Sequence, residues 1–242
     1  MSTTTLSNYQ NAHKWLIIPF VFTILGFMRS YYLDFTNATW HQHMHGLSAT
    51  LWYIMIIVQP YLITRGHVKA HRFYGMLALI LAGGVIFSGL TIIPRNLVAA
   101  ASIGENPVVS PTFFYGVSFI DLITIFGFAF SVIMAIRNVR NLTDHVLWMI
   151  STVFWALTPA LSRFAFIPLF AIYGSPFPFD FIRVIAITVP FILVPIIIIG
   201  YRFKQWHPAL ILVFIANVFG FLVRPIGDSE IWRSIADALF KY

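Results

Sequence analysis

Chemistry in this chain would fall to histidine, arginine and one carboxylate, because it has 8 His and no Cys among its 242 residues. Three histidines lie in the run Trp40-His41-Gln42-His43-Met44-His45-Gly46, and the others are His13, His67, His71, His145 and His207. His41 and His45 stand four residues apart, as do His67 and His71. On a helix such pairs share one face and could hold one metal through neutral imidazole nitrogens. Neither pair contains an acidic residue, and the His-Glu-x-x-His pattern of zinc proteases is absent. Without cysteine there are no disulfides, thiol nucleophiles, Cys-ligated zinc sites or iron–sulfur clusters.

Arg29, Arg95, Arg163, Arg183 and Arg224 lie in or beside apolar stretches, as does Asp121. An ionised group inside a bilayer costs a few kcal/mol or more unless it faces the bundle and finds a partner. Two readings stay open for these groups. They are structural, with the arginines snorkelling outward and Asp121 pairing with one of them. Alternatively, with Gln59, they line an outward-facing polar cavity for something anionic.

The elements that must position these residues are membrane helices. The chain is 59% hydrophobic and 10% charged, with a mean hydropathy of +0.84, against about 25% charged in an average soluble domain. A crossing needs about 20 apolar residues. Seven stretches qualify: Trp15–Leu33, Gly46–Thr64, Phe73–Pro94, Thr112–Ile136, Val146–Phe170, Phe181–Tyr201 and Ala209–Gly227. The runs are continuous rather than alternating, so a strand barrel is disfavoured. The expected fold is all-α: one polytopic bundle of seven spans in a single domain, placed in the inner (plasma) membrane. No internal repeat suggests a transporter built from inverted halves. A cleavable secretory signal is not expected, since the first apolar stretch lacks a small-residue cleavage site.

Basic residues set the expected orientation. Lys14, Arg65, Lys69, Arg72, Arg137, Arg140, Arg202 and Lys204 fall on one side. The opposite loops hold Arg95, and the tail adds Arg233 and Lys241. The positive-inside rule then puts the N-terminus in the cytoplasm and the C-terminus outside. Scattered between apolar spans, the 15 Lys and Arg point to topology and anionic lipid rather than to nucleic acid. The tail Asp228–Tyr242 reads as a short amphipathic helix in the outer interface. Asp228 or Ser229 would cap it, and Ile231, Trp232, Ile235, Leu239 and Phe240 would form its apolar face.

Helical phase groups the polar residues. At 100° per residue, His41, His45, Ser48, Trp52 and Gln59 fall within about 40° of one another on the second span. His145, Met149, Thr152, Ala156, Pro159 and Arg163 do the same on the fifth. Arg163 is 17 residues into that span, about 26 Å from its inner end. It is expected to point inward, with Asp121 and the His41–His45 turn as candidate partners.

His45-Gly46, Gln59, Arg65 and His71-Arg72 followed by Gly75 resemble the first signature of a family of bacterial membrane proteins catalogued as domain of unknown function 2306. His145-Val146-Leu147-Trp148-Met149-Ile150 with the downstream Arg163 resembles its later signature. The likeness covers spans 2, 3 and 5. It departs from the pattern near Met149, where no basic residue precedes, and in the triplet His41/His43/His45. A looser similarity is to cytochrome b561-type bundles, whose histidines near helix ends ligate b-type haem. That similarity implies His71 and His145 as an axial pair for one haem b, with Arg72 meeting a propionate. No histidine opposite His45 supplies a second haem site.

Three functions therefore compete. The first is a haem b redox protein passing electrons between a quinol and an acceptor. The second is a metal-dependent enzyme acting on membrane lipid, with zinc or copper on His41 and His45 and Asp121 as third ligand or base. The third is a non-enzymatic binding or transport protein whose arginine-lined outer cavity takes an anionic small molecule.

Overall fold

The computed structural model describes residues 9–104, 106, 108–202 and 206–240. The expected basic residues Lys204 and Lys241 lie outside the described residues. Among the described residues there is no strand. Helix α1 (Ala12–Phe27) runs into one π turn (Met28–Tyr32), and a short 3-10 turn leads to α2 (Trp40–Thr64). Then follow α3 (Val68–Leu90), α4 (Ile92–Ser102), α5 (Pro111–Arg137), α6 (Leu142–Ala156), α7 (Thr158–Tyr173) and α8 (Phe181–Arg202). The chain closes with α9 (Pro208–Val218), a 3-10 turn, α10 (Val223–Asp228) and α11 (Glu230–Phe240).

Six segments are long and apolar enough to cross a membrane: Ala12–Tyr32, Trp40–Thr64, Val68–Ser102, Pro111–Arg137, Phe181–Arg202 and Pro208–Asp228. Helices α6 and α7 meet that test only as a pair, bent by 48° at Leu157. The cause is local. Pro159 has no N–H to donate and its ring crowds the preceding turn, which kinks a helix. The bundle is a membrane protein by the character of its surface as well. Ile80, Phe126 and Phe191 are 73%, 64% and 67% exposed, which water would penalise and lipid would not.

Helix starts follow from capping chemistry. Ser110 accepts the Phe113 N–H at 3.3 Å with Pro111 in the first turn of α5. Asn141 accepts the Asp144 N–H at 3.4 Å, and His207 Nδ1 accepts the Ala209 N–H at 3.2 Å. Each satisfies a backbone donor that the helix leaves unpaired. Between helices the core is tied by polar groups inside an apolar shell. Trp155 Nε1 donates to Ser131 Oγ (2.8 Å), Trp52 Nε1 to Thr152 Oγ1 (3.2 Å), and Thr158 Oγ1 to Asn217 Oδ1 (2.9 Å). Close approach needs small residues. Any Cβ at Gly26 would run into the Ala160 carbonyl, which is how α1 and α7 come together.

Side-chain contacts define the two ends of the bundle. At the near end, where α1 begins, His13 packs on Tyr61 and His207 meets Asp144. At the far end, α11 lies against α4 and α5. Trp232 Nε1 donates to the Tyr115 carbonyl (2.7 Å), Tyr115 Oη donates to Asp237 (2.7 Å), and Ser229 Oγ caps the helix at Trp232 N–H (3.3 Å). The amphipathic tail divides its apolar residues between two surroundings. Trp232 and Phe240 flank buried Ala236 against the bundle, whereas Ile231, Ile235 and Leu239 remain exposed.

Candidate functional sites at two depths

At the near end the first turns of α3 and α6 bring His71 and His145 together, with ring centroids 6.4 Å apart and planes at 82°. Each ring has its Nδ1 engaged. His145 Nδ1 donates to the Ala135 carbonyl at 2.9 Å, at the last turn of α5. The Gln59 amide on α2, oriented to suit its neighbours, donates to His71 Nδ1 (2.5 Å) and to the His71 carbonyl (3.2 Å). Its oxygen accepts the Gly75 N–H at 2.8 Å. A hydrogen bond at one ring nitrogen fixes the orientation of the imidazole and leaves the other nitrogen for chemistry. Both rings are half-buried, and Arg72 beside them is exposed at the near end.

The second cluster lies deeper and toward the far end. His45 Nδ1 is 3.2 Å from Ser88 Oγ. The Ser88 hydroxyl has one hydrogen, and it points to the Gly84 carbonyl at 2.6 Å. Ser88 therefore accepts from His45, and a neutral His45 keeps its proton on Nδ1 and presents Nε2 as an acceptor. Asp121 Oδ2 accepts from Asn96 Nδ2 at 3.2 Å. Arg163 Nη1 donates to the Pro159 carbonyl at 2.9 Å, and its guanidinium lies 4.8 Å from the Phe27 ring centre. The Arg163 charge acts on both His45 and Asp121, yet forms no direct ion pair with the carboxylate. Five helices thus contribute: α2, α3, α4, α5 and α7.

The remaining sequence candidates are placed elsewhere. Gln59 belongs to the near-end histidine cluster and not to a far-end cavity, because α2 spans the bundle and its last turn meets the start of α3. Arg29 is exposed on the π turn. Arg95, also exposed, donates to Thr39 Oγ1 at 3.3 Å. Arg183 donates to the Pro178 carbonyl at 3.3 Å, and Arg224 pairs with Asp180. These four arginines surface at helix ends, where water and local acceptors satisfy them, so the arginine-lined cavity reduces to Arg163 with Asp121. His41 is exposed in a far-end groove of about 420 Å³ beside Phe87, Arg95 and Phe240, while His45 turns inward to Ser88. Among the described residues, no group of three or more His, Asp or Glu is placed to hold a metal ion.

The sequence marks Asn96 and Ser88 poorly. Their signal was present but weak: a lone Asn in an apolar run, and a Ser whose helical phase matters only once α2 and α3 are known to pair. Matched against protein-family models, curated proteins and solved structures, the chain has no counterpart in any of the three.

Proposed function

We propose that this protein is a multi-pass redox protein of the plasma membrane in which His71 and His145 hold one b-type haem. The observation that supports it is the near-end histidine pair. A b-type haem would take two imidazoles from separate helix ends, and the separation that bears on this is the one between ring centres. His71 and His145 stand at 6.4 Å. His145 suits haem iron, since its Nδ1–H is engaged and its Nε2 keeps a lone pair. His71 instead accepts at Nδ1 and carries its proton on Nε2, and would offer that nitrogen only with the Gln59 amide turned to accept from Nδ1–H. When bound, the haem would supply one-electron chemistry, with a quinol and an unidentified acceptor as partners. The residues orient the ligands, through Gln59 and the Ala135 carbonyl, and Arg72 is the cation available to a propionate. The looser likeness to cytochrome b561-type bundles implies the same pair of residues, whereas the likeness to domain of unknown function 2306 implies a fold and no chemistry.

The topology belongs to the same proposal. The bent pair α6–α7 is taken as a seventh crossing, with the near end in the cytoplasm and the C-terminus outside. Its support is the clustering of Arg65, Lys69, Arg72, Arg137, Arg140 and Arg202 at the near end.

An optical spectrum of the purified protein tests the cofactor. A Soret band with a sharp α-band on reduction is expected, lost in His71→Ala and in His145→Ala and kept in His13→Ala and His207→Ala. Pigment surviving both ligand changes would overturn the assignment, as would a colourless wild-type protein after expression with haem supplied.

A second reading, binding or transport of a small molecule, draws on the convergence of His45, Asp121 and Arg163 toward the far end. The metal-dependent lipid enzyme gains no such support. The Arg163 charge beside His45 and Asp121 opposes a cation there, and His41 is exposed in the groove beside Arg95.

A further inference from the structure

The far-half cluster leaves specific valences open. Asp121 Oδ1, His45 Nε2 and the Nε and Nη2 atoms of Arg163 make no hydrogen bond to protein among the described residues. None of them is sealed off, since the buried side-chain atoms left without a partner are His13 Nδ1 and Ser118 Oγ. Each of these open atoms keeps at least a little surface that water can touch. Their depth is substantial. Asp121 is ten residues from the start of α5 at Pro111, and Arg163 is ten from the end of α7 at Tyr173, so each lies about 15 Å below the far end. In lipid-facing surroundings a carboxylate and a guanidinium at one depth would ordinarily close into a direct pair. Here no direct pair forms: Arg163 is held by the Pro159 carbonyl and the Phe27 ring, and Asp121 by Asn96.

The open atoms prescribe a ligand. Two donors on Arg163 call for a carboxylate, which a guanidinium holds through paired hydrogen bonds. Two acceptors, Asp121 Oδ1 and His45 Nε2, call for a multiple N–H donor such as an ammonium. Asp121 and Arg163 together contribute no net charge, so a molecule that is itself neutral overall leaves the site balanced. A simple anion would leave its negative charge beside Asp121, and a simple cation its positive charge beside Arg163. We infer that the site bordered by His45, Asn96, Asp121 and Arg163 binds a small zwitterion, its carboxylate on Arg163 and its ammonium on Asp121 and His45. This rests on the second reading above and names its ligand class.

Full-length protein in lipid nanodiscs would be titrated calorimetrically with glycine, alanine and β-alanine, and in parallel with acetate and methylammonium. At least one zwitterion is expected to bind saturably, and at least tenfold more tightly than either single-charge probe. Arg163→Gln and Asp121→Asn should each weaken that binding by tenfold or more, with the wild-type panel deciding the matter should either variant fail to fold. Acetate binding as tightly as the zwitterions would overturn the ligand class and keep the site as an anion site. Methylammonium binding equally well would overturn it in favour of a cation site. Binding of no probe would overturn both this inference and the reading on which it rests.

Discussion

The contact between α5 and α6 can be tested at one hydroxyl. Ser131 is fully buried and accepts two hydrogen bonds, from Trp155 Nε1 at 2.8 Å and from Ser151 Oγ at 3.0 Å. Ser131→Ala removes that acceptor. Ser151 has a fallback, since its hydroxyl already lies 2.8 Å from the Trp148 carbonyl. Trp155 has none within its present rotamer. Its ring lies against Gly127, where an added Cβ would come within about 2.5 Å of ring carbons, so the indole is held in place by the opposing helix. A buried N–H left without a partner costs about 1–3 kcal/mol. Interhelical hydrogen bonds in bilayers average nearer 0.6 kcal/mol, up to about 1.7, because the unfolded chain in lipid also finds partners. The pinned indole places this case at the upper end, at about 1–2 kcal/mol. Reversible unfolding in mixed micelles would measure it, in a double-mutant cycle with Trp155→Phe, which removes the N–H and most of the coupling with it. A loss below about 0.3 kcal/mol in Ser131→Ala, or strictly additive effects in the cycle, would refute the reasoning. Ala135, whose carbonyl orients His145, is one turn along α5 from Ser131. The same substitution should therefore broaden any His145-dependent spectrum before it abolishes it.

Other expectations can be checked alongside. A reporter active only outside the cytoplasm, fused after Tyr242, should be active, and a cytoplasmic reporter working there would mean that α6–α7 does not cross. Arg163→Leu should impair folding yield or function far more than Arg137→Leu, since Arg137 is exposed at the near end; equal tolerance would show that Arg163 only fills space. Gly26→Val should lower stability by several kcal/mol, comparable with severe overpacking, because the Ala160 backbone carbonyl cannot move aside; a fully stable variant would contradict the α1–α7 packing. Gln59→Leu should leave the helical content unchanged while releasing the His71 ring, seen as a changed His71 imidazole resonance in isotope-labelled protein.

How far the sequence discloses this arrangement depends on the range of the interaction concerned. Apolar run length and proline positions are local properties, and they place most helix ends within a few residues, although the third span runs on through α4 to Ser102, well past the expected Pro94. The departures are local too: Pro159 breaks one expected span into α6 and α7, and Trp40 rather than Gly46 begins α2, because Thr39 and Gln42 cap a helix that reaches beyond the apolar run. Helical phase aligns His45 with Trp52 on α2, but the expected alignment of His145 with Arg163 fails, because the two fall on α6 and α7, on either side of the 48° bend. Nor can phase say which helices face each other, or which groups on one face lie at the same depth. Phase alone therefore leaves Gln59 with the far-end arginines although it bonds to His71, and does not single out Asn96 and Ser88.

The arginines show the same limit from the energetic side. Burial cost singles out Arg163 and Arg224 alike by counting residues from the near end, but the count assumes straight helices. The 3-10 turn at Phe219–Leu222 carries Arg224 out to Asp180 at the far surface, where it is half exposed. Arg163 has no such exit, since α7 runs on for ten residues to Tyr173 and its guanidinium is held inside by Pro159 and Phe27. Of five arginines out of place in the sequence, the backbone thus provides a route to the surface for four. The fifth stays beside His45 and Asp121, and that is the place in the far half of the bundle where a charge is retained at a cost that binding could offset.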